Sequence, residues 1–183
     1  MDERKEFIYS KAQWRSELLS RRAAVKDKQV KSRIIADKVL PTLYGAVMVY
    51  ASIGSEVDTA NIFDALLKRD DVRLYAPYTE NGVIMPRKVM TIGKAERFGN
   101  LPHDCYSDNQ IPSRLDFCIT PLLGFNSQGY RIGYGKGCYD RFFAEWDTVK
   151  IGLAFSVQQI KFEPDRTDIP LDCCVTDKSV IYF

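Results

Sequence analysis

The chain has 183 residues, 45% of them apolar and 27% charged, enough for one soluble domain with a packed core. Lysines and arginines number 26 against 24 aspartates and glutamates; a net charge of +2 argues against a protein that works mainly by gripping the backbone of a nucleic acid. One histidine, His103, and five cysteines without a C-x-x-C spacing argue against a histidine-rich zinc site and a disulfide framework. The odd cysteine count and the charged start "MDERKEFIYSKAQWR" point to reduced thiols in a cytoplasmic protein. No apolar run is long enough to cross a membrane.

The first forty residues read as two helices. Ser10 and Gln13 have capping-box spacing, and Trp14, Leu18 and Leu19 share the face that follows. The second helix carries Val30, Ile34, Ile35 and Val39 inward and stops at Pro41. "AVMVYAS" (46–52) is a short β-branched run, expected as a buried strand. Asp58 or Thr59 then caps a helix with Ile62, Phe63, Leu66 and Leu67 inward. "VRLYAP" (72–77) is a strand, and Asn81-Gly82 is a two-residue hairpin signal.

Residues 90–113 show no clean period, and His103 falls there as a surface loop residue. "LDFCITP" (115–121) reads as a buried strand, 138–146 as a helix, "KIGLAF" (150–155) as a strand, and "CCVTDKSVIYF" closes the chain. Strands alternating with helices predict a single three-layer α/β domain over 1–183, with a mainly parallel central sheet flanked by helices. Ligands of such sheets sit at the carboxyl ends of strands. That rule directs the segment after "AVMVYAS", with Glu56, and the segment after "LDFCITP" into one crevice.

The stretch "GYRIGYGKGCYDRFF" (129–143) is the densest chemical signal. It fails the P-loop pattern, because Gly137 follows Lys136 and Tyr130 stands at the first glycine position. It also fails the dinucleotide fingerprint, because Cys138 occupies the third glycine position. Glycines 133, 135 and 137 still let backbone N–H groups converge on an oxyanion at a helix start, with Arg131 and Lys136 adding charge. A tight glycine turn with solvated charges is the plainer alternative. Asp140 either complements the helix dipole or holds Mg²⁺ against a phosphate. Lys11 and Arg15, four residues apart, form either a solvated face or an anion contact.

"RIGYGKGCYDRF" resembles the signature of the 5-formyltetrahydrofolate cyclo-ligases, also called methenyltetrahydrofolate synthetases. "KAQWR", "SEVDT", "LDFCITPLLGFNSQGYRIGYGKGCYDRF", "KIGLAFSVQQI" and "PLDCCVTD" extend the resemblance in the family order. It implies ATP- and Mg²⁺-dependent conversion of 5-formyltetrahydrofolate to 5,10-methenyltetrahydrofolate, by a protein acting on a small molecule rather than on nucleic acid or a membrane, as a monomer or weak homodimer. It implies ATP contacts at Lys11, Arg15, Arg131, Ile132, Gly133, Tyr134, Gly135, Lys136, Gly137, Cys138 and Tyr139. Folate contacts are implied at Ala51, Glu56, Tyr134, Gly135, Lys136, Gly137 and Cys138. Lys136, Arg131 and Tyr139 would be catalytic, and Asp140 and Asp172 would hold Mg²⁺.

Three positions depart from the family pattern. Cys138 replaces a usual aromatic residue, His103 stands where relatives carry an acidic residue and proline, and residues 78–90 lack a tryptophan found in some relatives. Two rival readings are a non-catalytic nucleotide or folate binder on the same fold, and a sugar-phosphate enzyme of similar architecture.

Overall fold

The computed structural model describes residues 10–94, 99–107 and 111–183; the charged start before Ser10 lies outside them. Helix α1 (Lys11–Ala23) begins at the expected capping box: Ser10 Oγ accepts from the Gln13 N–H, and the Gln13 side chain accepts from the Ser10 N–H at 2.8 Å. Leu18 is its buried apolar residue, whereas Leu19 is exposed. Helix α2 (Lys28–Val39) buries Ser32, Ile35, Ala36 and Val39 and leaves Val30 and Ile34 in solvent. The helix is therefore rotated from the expected face, with small Ser32 and Ala36 buried and Ser32 Oγ accepting from the Asp58 N–H at 3.0 Å. It runs into one 3₁₀ turn at Leu40–Thr42 that includes Pro41.

Strand β1 (Gly45–Val49), helix α3 (Ala60–Leu66) and strand β2 (Val72–Glu80) follow. Asp58 Oδ1 accepts from the Ala60 N–H at 2.9 Å, and Ile62, Phe63 and Leu66 are buried. Asn81 and Gly82, both at positive φ, turn β2 into antiparallel β3 (Val83–Lys88). After a 3₁₀ turn at His103–Cys105, which leaves His103 exposed, come β4 (Phe117–Pro121) and the short pair β5 (Gly124–Phe125) and β6 (Arg131–Ile132). Helix α4 (Cys138–Glu145), β7 (Val149–Ala154), β8 (Cys173–Thr176) and β9 (Val180–Tyr182) complete the chain.

The main sheet has the order β3-β2-β1-β4-β7-β8-β9. Its five inner strands are parallel and its two edges antiparallel. This is the expected α/β architecture. Alternation along the strands splits the core. Val47, Val49, Leu74, Ile119, Ile151 and Leu153 face α2 and α3. Ala46, Met48, Tyr75 and Cys118 face Phe142 and Phe143 of α4. The β1–α3–β2 crossover thus runs on one face and β4–α4–β7 on the other. The strand order reverses between β1 and β4, which opens a crevice at their carboxyl ends.

Candidate active site

Two segments leave that crevice. One follows β1 and carries Ala51, Ser55 and Glu56; the other follows β4 and leads through β5 and β6 to the glycine loop. The root of the second is anchored: the buried Gln158 donates to Leu122 O and Leu123 O, at 3.0 and 2.9 Å. Beyond Ile132 the loop has few side chains of its own to hold it, and neighbouring arginines do so. Arg15 Nε donates to Gly133 O at 3.1 Å, and its guanidinium lies flat against Gly135, which sits at φ +90°. Arg141 Nη1 donates to Lys136 O at 2.9 Å, and its Nη2 donates to Gly82 O at 2.9 Å, tying the loop to the β2–β3 turn. Gly137 caps α4 without any side-chain acceptor on the helix N–H groups, an arrangement suited to an incoming oxyanion. Tyr134 and Lys136 are exposed on the loop.

Glu56 lies against this loop. Its side chain is 4% exposed; Oε2 accepts from the Ile53 N–H at 2.9 Å, and Oε1 accepts from the Tyr134 hydroxyl at 3.3 Å. Burial pushes the carboxyl up from the ordinary glutamate range, and the Ile53 N–H, Arg22 and the Tyr134 hydroxyl pull it back. Burial and the nearby Glu56 charge likewise raise the Tyr134 phenol. Ala51 is buried at the end of β1, one residue beyond Tyr50, whose carbonyl accepts from Thr59 Oγ1.

Several of the expected site residues have contacts of their own within the protein. The Arg131 side chain is 5% exposed and engaged: Nη1 donates to Ile169 O at 2.8 Å, Nη2 donates to Asp140 Oδ1 at 2.9 Å, and the guanidinium sits 5.1 Å from the Phe143 ring. It props the base of the loop. Tyr139 packs edge-on to Phe142, with burial and nearby charged groups raising its phenol well above the ordinary range. Lys11 pairs with Asp165 at 2.7 Å and also with Asp168.

Asp140 and Asp172 do not come together as the expected pair. Asp140 stands in the first turn of α4, near the crevice; Asp172 precedes β8, at the amino end of the parallel strands, and holds Lys150 at 2.9 Å. Their partners are separate: Asp140 accepts from Arg131 and the Ile169 N–H, whereas Asp172 accepts from the Lys150 N–H and pairs with its ammonium. Asp168 is the carboxylate that the same segment brings toward Asp140: the next residue, Ile169, donates its N–H to Asp140 Oδ1 at 3.2 Å. Among the described residues no group of three or more histidines, cysteines or carboxylates is assembled for a metal.

Sequence reasoning missed Arg22 and Asp168. Arg22 is 1% exposed, the largest fully buried side chain among the described residues. Its signal was helical phase: Lys11, Arg15, Leu18 and Arg22 lie on one ridge of α1, and Leu18 is buried. A cation in register with a core leucine is a candidate for burial against an acid.

Fold and site together define an α/β protein with a glycine loop at a helix start and a buried carboxylate at one crevice. The family model for "5-formyltetrahydrofolate cyclo-ligase family" matches residues 8–177. The 5-formyltetrahydrofolate cyclo-ligase of Mycoplasma pneumoniae is 27% identical over 173 residues, covering 90% of this chain and 96% of that protein. The Escherichia coli K12 protein of the same name is 30% identical over 145 residues, covering 73% and 79%. The solved 5,10-methenyltetrahydrofolate synthetase of Mycoplasma pneumoniae superposes with a TM-score of 0.73 at 28% identity, covering 92% of this chain and 99% of that one. The NMR structure of the Aquifex aeolicus 5,10-methenyltetrahydrofolate synthetase gives 0.75 at 26% identity, covering 94% and 92%. The chain belongs to the 5-formyltetrahydrofolate cyclo-ligase family.

Proposed function

We propose that this protein is an ATP-dependent ligase that closes 5-formyltetrahydrofolate to 5,10-methenyltetrahydrofolate. The observation that carries the reading is the contact of the buried Glu56 carboxylate with Tyr134 of the glycine loop, at 3.3 Å, which joins a polar-ring acceptor to a phosphate cradle.

The formyl amide oxygen is a poor leaving group. Transfer of the γ-phosphoryl group of ATP to that oxygen yields ADP and an imidate-like phosphate. The N10 lone pair then attacks the activated carbon, N10 loses its proton, and the C–O bond breaks to release phosphate. Phosphoryl transfer asks mainly for positioning and charge neutralisation. Ring closure gains from holding N10 beside the carbon.

The residues divide accordingly. Arg15, Lys136 and the uncapped N–H groups of α4 face the phosphates. Lys11 approaches them from α1, exchanging its contact with Asp165 and Asp168. Arg131 and Arg141 hold the loop, and Glu56 accepts the N–H edge of the pterin beside Ala51, Tyr134 and Cys138. Asp140 fits a hard divalent cation: both of its described hydrogen bonds land on Oδ1 and neither on Oδ2, and Asp168 is the neighbouring carboxylate. Mg²⁺ held there would neutralise phosphate charge. No histidine is needed, which suits a chain with one.

The test mixes protein, 5-formyltetrahydrofolate, ATP and Mg²⁺ at mildly acidic pH and follows the near-ultraviolet absorbance of the methenyl product. Product formation that requires ATP supports the reading. Tight binding of both ligands without turnover would select the non-catalytic alternative.

A further inference from the structure

Arg22 is the one buried cation of α1, and each nitrogen of its guanidinium is directed to a different segment of the crevice. Nε donates to Ser55 Oγ at 3.1 Å, Nη1 donates to Leu122 O at 3.0 Å, and Nη2 donates to the Tyr134 hydroxyl at 2.6 Å. Nη1 stands 4.0 Å from Glu56 Oε1, and the guanidinium lies 5.7 Å from the Tyr134 ring. The Tyr134 hydroxyl thus receives one hydrogen bond from Arg22 and gives its own proton to Glu56.

We infer that Arg22 is a positioning residue for folate recognition: directly and through the Tyr134 hydroxyl, it keeps Glu56 ionised and aimed at the substrate's N–H edge. The inference rests on the proposed pterin role of Glu56. A buried carboxylate left alone takes up a proton and becomes a donor at one oxygen. Only the ionised form accepts from two adjacent N–H groups at once. Its two oxygens offer about four acceptor directions; Ile53 and Tyr134 use two, and the rest serve the ring. Ser55 and Leu122 fix the guanidinium plane, so the charge cannot swing toward solvent. The other titratable groups around Glu56 are Tyr50 and Tyr139, whose phenols burial holds neutral, and Asp58, two residues on, which bonds Ser52 and Ala60 instead.

The sign follows from the geometry. Arg22 lowers the Glu56 pKa against burial. Removing it raises that pKa, so the ionised fraction falls most at acid pH and returns as pH rises. The experiment measures kcat/KM for 5-formyltetrahydrofolate, and folate affinity by calorimetry, from pH 5 to 9 in Arg22→Met, Arg22→Lys, Tyr134→Phe and Glu56→Gln, with thermal melts of each. The expected result is an acid limb moved up by about one pH unit in Arg22→Met, a loss of about tenfold below it, with kcat at saturating folate much less affected. Arg22→Lys restores most of the limb, because the charge returns. Tyr134→Phe, which leaves no new buried charge, moves it the same way by less.

A folded Arg22→Met with an unmoved limb and equal losses of ATP and folate affinity makes Arg22 a structural residue and overturns the inference. If Arg22→Met does not fold, an unmoved limb in both Arg22→Lys and Tyr134→Phe overturns it equally. Folate affinity unchanged in Glu56→Gln defeats instead the pterin assignment on which it stands.

Discussion

Replacing Gly135 by alanine attacks the phosphate loop at its tightest point. Gly135 sits at φ +90°, and an added Cβ would stand 3.0 Å from Arg15 Cζ and 3.2 Å from its Nε and Nη2. The left-handed backbone costs an alanine about 1–2 kcal/mol. Pushing the guanidinium aside also loses the Nε bond to Gly133 O, about 1 kcal/mol net. The loop is exposed, so the variant escapes both costs by abandoning the conformation, and ATP must then restore it on binding. The sum, about 2–3 kcal/mol, corresponds to about 30- to 150-fold in the KM for ATP. The thermal midpoint in the absence of ligands should change little. Gly133→Ala is the matched comparison: its Cβ would meet nothing within 4 Å and its φ is not in the left-handed region. Steady-state kinetics at saturating folate, with melts of both variants, reads the difference. An ATP KM within twofold of wild type in Gly135→Ala, or a loss in Gly133→Ala as large, would refute the reasoning.

Asp140→Asn should raise the Mg²⁺ concentration needed for half-maximal rate at least severalfold, whereas Asp172→Asn should leave that titration in place, since Asp172 serves Lys150 on the far rim. Equal shifts in the two would return Asp172 to the metal site. Limiting thiol reagent should label Cys138 first, because Cys105, Cys118, Cys173 and Cys174 are buried. Burial also pushes the Cys118 thiol up to about 12 and that of Cys173 to about 11, which keeps them protonated and unreactive through neutral pH. Peptide mapping with and without ATP and folate should show Cys138 protected by the ligands; labelling indifferent to both would remove it from the site. Gly152→Ala should lower the melting temperature, at a cost of about 1–3 kcal/mol, because its Cβ would lie 2.6 Å from Leu171 Cδ1 and 2.7 Å from Leu122 Cδ2.

Features that depend on neighbours a few residues away were legible in the chain. The Ser10 and Gln13 capping box, the Asn81-Gly82 turn, the β-branched runs of β1 and β4 and the glycine loop before α4 all form from local backbone preferences, and alternation of strands and helices restricts their assembly to a parallel sheet. The crevice followed, because ligand sites of such sheets lie where strand order reverses. What the chain could not reveal was which of two adjacent cations is buried. Arg21 pairs with Glu17 on the surface, and Arg22 turns into the core, bonding a tyrosine 112 residues away. Both are ordinary helix residues until β4 and the glycine loop are in place to desolvate one of them. The same holds for Asp168 and Asp172, separated by four positions yet serving opposite rims, and for α2, where Ser32 and Ala36 displace Val30 and Ile34 from the core. Helical periodicity defines a face but not its rotation against a sheet, and a charge acquires its energy only from the burial and partners that distant segments bring to it.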